Sequence, residues 1–131
     1  MSSGNFYLVD CENVSIQTLV SCVIDSPVKQ NATLILFCNK KVSLVKRELD
    51  TLEVIFESVL FELIDVQGKN ALDSYLSVSL GLLAATRKDS HFSVVSNDRG
   101  FLHTLLPLRA HASANHYRLM AVKNNKLVNI S

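Results

Sequence analysis

Five short apolar runs punctuate the chain, and a helical pattern follows almost every one. No other feature constrains the fold as much as this alternation. The runs are Phe6–Val9, Ala32–Phe37, Val59–Val66, Phe92–Val95 and Tyr117–Val122. Between them, apolar residues recur at helical spacing. Ile16, Leu19, Val20 and Val23 share a face of Ser15–Ile24, which Pro27 in "DSPVKQN" stops. Val42, Val45, Leu49, Leu52 and Phe56 do so in Val42–Phe56, and Leu72, Leu76, Leu80 and Leu83 in Asn70–Thr86. Gly100–Leu106 reads as a short fourth helix, and the terminal "KNNKLVNIS" as a small edge hairpin.

Strands joined through helices must cross over their sheet, so they pair in parallel and carry helices on both faces. The runs are continuously apolar, as strands covered on both faces require. The expected fold is therefore α/β, a three-layer sandwich around a mostly parallel five-stranded sheet. At 131 residues and 48% hydrophobic, with no repeat or linker, residues 1–131 read as one domain with a well-filled core. The N-terminus "MSSGNF" lacks the basic and apolar regions of a signal peptide. No apolar run approaches the length of a spanning helix, so no membrane role is expected.

The net charge of +1 excludes a global basic field, and any nucleic-acid contact must come from a local patch. Cys11, Cys22 and Cys38 are odd in number and form no C-x-x-C pair, which suits reduced thiols and a cytoplasmic location.

In an open parallel sheet, ligands bind beyond the carboxyl ends of the strands. Asp10 and Glu12 end the first run in "FYLVDCENV", Asp98 follows the fourth in "FSVVSNDRG", and Asp73 lies in the first helical turn of "GKNALD". Three separate segments thus bring acids to one edge. Such oxygen clusters suit hard divalent cations, and two ions about 4 Å apart can hold both the attacking water and the leaving oxygen of a phosphodiester. Each acid also has an ordinary reading. Asn70 can cap its helix with Asp73 at N3, Asp98 can form an Asx-turn, and Glu12 can be a solvated turn residue. Asp10 is harder to dismiss, because an acid abutting a core strand needs a partner.

"LVDCENV", "GKNALDSYLSVSLG" and "VVSNDRGF" together resemble the PIN-like nuclease superfamily, most closely its bacterial PIN-like and NYN members. The motifs keep the family's order and span residues 7–101. The resemblance implies a Rossmann-like sheet and a metal-dependent ribonuclease that uses Mg2+ or Mn2+. By matching position, Asp10, Asp73 and Asp98 would bind the metal, Glu12 or Asn13 would support it or its water, and Ser96 and Asn97 would shape the Asp98 loop. RNA is the implied substrate. Where members often continue G-F-D-P-L, this chain reads "GFLHTLLPL", and Glu12 is the best candidate for a fourth acid.

Lys69 and Arg99 neighbour acidic motifs, and Lys40 and Lys41 follow the second run, so these cations are candidates for phosphate contact. Asn13, Ser96 and Asn97 complete the candidate substrate contacts. Phe101 reads as core, Cys11 as packing into the sheet, and His103 and His111 as structural or surface residues. A competing reading keeps the fold without catalysis, as a module binding RNA or a protein. A haloacid-type phosphohydrolase ranks below both, since Glu12 stands where its second Asp is needed. The leucine stripes could also build a homodimer, and a partner chain could supply specificity.

Overall fold

The computed structural model describes residues 4–25, 31–65 and 70–131. Its elements run β1 (Asn5–Asp10), α1 (Ile16–Val23), β2 (Ala32–Asn39), α2 (Lys46–Ile55), β3 (Ser58–Ile64), α3 (Ala71–Ala85), β4 (His91–Val95), α4 (Phe101–His111), β5 (His116–Lys123) and β6 (Lys126–Asn129). Pro27, Val66 and Lys69 lie outside the described residues.

The strands form one sheet in the order β3-β2-β1-β4-β5-β6. The first five pair in parallel, as expected. The sheet has six strands and not five, because the C-terminal hairpin adds β6 antiparallel to β5. Asn124 and Asn125 turn that hairpin with φ of 52° and 58°. Two positive φ values suit a tight two-residue turn, and asparagine tolerates them best after glycine.

Side chains alternate across the sheet and build two cores. Tyr7, Val9, Leu34, Leu36 and Cys38 pack with Leu19 of α1 and Leu52 of α2. Leu8, Ile35, Phe37, Val94 and Leu119 pack with Leu72, Leu76 and Leu80 of α3 and Leu105 of α4. Each fully buried leucine contributes about 1.5–3 kcal/mol. Asp10 has the parity of Leu8, so it stands at the end of β1 on the α3/α4 side.

Two expected helix boundaries move by several residues, and one strand is less covered than expected. α2 starts at Lys46, four residues late, because Val45 is extended (φ −99°, ψ 117°) and has no side-chain cap. α4 runs through Pro107 to His111 instead of ending at Leu106. Proline removes a helical hydrogen bond to the residue four back; here both Pro107 and His103 are exposed, so water can serve the freed carbonyl. β3 is apolar yet lies at the sheet edge, with Leu60 and Leu63 each 52% exposed.

Candidate active site

The strand order reverses between β1 and β4, and a crevice at such a switch point is where open α/β sheets bind ligands. Asp10 ends β1 there, and the Ser96–Gly100 loop leaves β4 beside it. Asp10 is 0% exposed. Its Oδ2 accepts from Ser96 Oγ at 2.9 Å and Asn13 Nδ2 at 2.8 Å, and its Oδ1 accepts from Glu12 N at 3.2 Å. A buried carboxylate needs such donors.

Asn13 therefore orients Asp10 and does not cap α1. The cap is Ser15, whose Oγ accepts from Thr18 N at 3.1 Å. Glu12 is exposed on the turn between Asp10 and Asn13.

Ser96 is fully buried and joins two segments, since its Oγ also accepts from Asp98 N at 3.0 Å. Asp98 Oδ1 accepts from Gly100 N at 2.8 Å, closing an Asx-turn. Glycine fits there because a Cβ at position 100 would meet Asp98 Oδ1 at 3.0 Å. Asn97 Oδ1 accepts from Val122 N at 2.8 Å, which ties the loop to β5. Arg99 is exposed next to this turn.

Asp73 comes from the first turn of α3. Asn70 precedes that helix in the left-handed region (φ 67°) and makes no side-chain cap. Asparagine is among the few residues that adopt this conformation readily. Burial, a hydrogen bond with Asp98, and the charges of Asp10, Asp98 and Glu12 push the Asp73 carboxyl up to about 6. The four acids therefore share one electrostatic field. Among the described residues, none forms an ion pair with any of them. Among the same residues, no set of three or more acidic, histidine or cysteine side chains is close enough to hold a metal ion. Asp10 is tied inward by its donors while Asp73 and Asp98 lean on each other, so the carboxylates crowd without closing on a common centre.

Lys40 lies at the end of β2 and pairs with Asp65 at 3.3 Å, with both side chains more than half exposed. The thiol of Cys11 faces the other side of the sheet and packs into the α1/α2 core beside Cys38. Its hydrogen bond with Cys38, then burial, raise that thiol.

Sequence reasoning missed a cleft of about 590 Å³ beside the acids, between α3 and α4. Asp73, Asp98, Ser74, Ser77 and Thr104 are among the residues that line it. Ser77 and Thr104 hydroxyls bond across it at 2.9 Å. The available signal was the recurrence of serine within the otherwise apolar "LDSYLSVSLG".

A family model described as PIN domain matches residues 4–117. The chain belongs to the PIN domain family, whose members are generally nucleases. No curated protein matches the chain. Among the described residues, no helix is long and apolar enough to cross a membrane.

Proposed function

We propose that this chain is a metal-dependent endoribonuclease of the cytoplasm, acting through Asp10, Asp73 and Asp98. One observation carries the reading: burial, Asp98, and the charges of Asp10 and Glu12 push the Asp73 carboxyl up to about 6, and no described cation pairs with any of the four acids. Uncompensated negative charge at a sheet's switch point is what a divalent cation would relieve.

The donor set fits Mg2+ or Mn2+, because every candidate ligand is a hard oxygen. When bound, the cation supplies a lowered water pKa and charge stabilisation at the phosphate. Asp10, Asp73 and Asp98 would hold it, and Glu12 would orient the water. Ser96 and Asn13 fix the Asp10 carboxylate, so this ligand is set before substrate arrives. Lys69, Arg99 and Lys40 meet the RNA backbone. Lys40 would exchange its exposed Asp65 partner for phosphate at little cost, since such pairs contribute about 0–1 kcal/mol.

The outer face of α3 would support a homodimer. Tyr75, Val78 and Leu82 are 44%, 62% and 68% exposed. A helix apolar on all sides belongs in an interior or an interface.

A second reading is a module that binds RNA or a protein partner without cutting. The open spacing of the acids and the "GFLHTLL" departure favour it. Labelled single-stranded RNA incubated with Mg2+ or Mn2+ separates the two. Cleavage by the wild type and not by Asp10→Asn supports the nuclease. Equal cleavage by both sinks it, and retained binding with no cleavage points to the module.

A further inference from the structure

The cleft between α3 and α4 has a composition that selects which part of a nucleic acid can enter it. Its lining residues include no lysine, arginine or histidine, and Asp73 and Asp98 make it negative. A phosphate would be repelled from such a space, whereas a neutral sugar or base would not. Besides the two carboxylates and the Asn70 amide, its polar lining is hydroxyl, from Ser74, Ser77 and Thr104. Hydroxyls both donate and accept, as a ribose 2′-hydroxyl does. The Ser77–Thr104 bond uses one donor and one acceptor, so one O–H and further lone pairs remain free for a ligand. Val78, 62% exposed, offers an apolar ledge beside them.

We infer that this cleft is a ribonucleoside subsite: it seats the sugar and base next to the phosphate held at the acids, and Ser77 and Thr104 read the 2′-hydroxyl. The inference rests on the nuclease reading for its orientation, and not for the existence of the pocket. The two carboxylates keep phosphate out of the cleft, at the cation, while the neutral moiety enters. A DNA strand would leave the hydroxyl pair without its partner, which makes the subsite a source of discrimination for RNA.

The test uses the intact chain with a chelator present, so that nothing is cut. Ribonucleosides and 2′-deoxyribonucleosides, which carry no phosphate for the acids to repel, are titrated separately while backbone amide shifts are followed by NMR. Shifts at Ser74, Ser77 and Thr104 are expected, with about tenfold weaker binding of the deoxy compounds. Ser77→Ala and Thr104→Val should erase that difference, and Thr104→Ser should preserve it. An unchanged ribose preference in both deletion variants, or shifts confined to other surfaces, overturns the subsite even if the protein cuts RNA. Shifts in the cleft without any metal-dependent cleavage would leave the subsite standing and remove the nuclease reading.

Discussion

Ser96 Oγ donates to Asp10 Oδ2 at 2.9 Å, joining residues 86 positions apart at the point where the strand order reverses. The same hydroxyl accepts from Asp98 N, so one buried atom positions two acidic segments. Ser96→Ala would leave a buried carboxylate short of a donor and an amide short of an acceptor. Losses of this kind cost about 1–3 kcal/mol. Denaturant unfolding should show that loss with an unchanged slope, and RNA cleavage should fall with it.

Asp73 supplies a pH prediction. Its folded-state carboxyl is raised to about 6 by burial, Asp98, Asp10 and Glu12, so the metal-free folded state binds its proton more tightly than the unfolded chain. That contribution is present at low pH and is lost as pH rises through about 6. Metal-free protein should therefore lose stability across pH 4 to 6, and Asp73→Asn should flatten this part of the profile. Cation binding should strengthen over the same interval, because ligating carboxylates must be deprotonated. Thermal unfolding at several pH values, with and without Mn2+, reads both effects.

Asp98→Asn separates folding from chemistry. An asparagine Oδ1 can still accept from Gly100 N and keep the Asx-turn. Stability should stay within about 0.5 kcal/mol of wild type. Metal-dependent cleavage should fall by about 100-fold, since an anionic ligand is gone. Loss of both would assign Asp98 a structural role.

The exposed face of α3 gives a solution prediction. Leu82 is 68% exposed, and Leu82→Glu should leave the fold intact while shifting any dimer to monomer in sedimentation velocity. A wild type that is monomeric at every concentration would remove the dimer.

Most of the architecture was legible because the strands of the parallel core are mainly apolar runs and each helix between them carries apolar residues at helical spacing. Asp10, Asp73 and Asp98 were legible for the same reason: each sits at a fixed offset from a strand end or helix start. What escaped the sequence was local competition for hydrogen bonds. Asn13 and Ser15 are both good caps, and only the folded chain shows Asn13 taken by Asp10 and Ser15 left to cap α1. The run of α4 past Leu106 escaped because a proline at position 107 is tolerated only on an exposed helix face. The terminal hairpin was read from "KNNKLVNIS", but its place as a sixth strand of the sheet depends on the pairing with β5. The Ser77–Thr104 contact joins residues 27 apart, beyond the reach of any local pattern.

The central claim is that Asp10, Asp73 and Asp98 form a cation site. Crystals soaked in manganese and measured at the manganese edge test it most directly. The account predicts anomalous density bounded by these three carboxylates, with Asp73 drawn off Asp98 to share the ion. Carboxylates left in their separate hydrogen bonds, with no anomalous density among them, would contradict it.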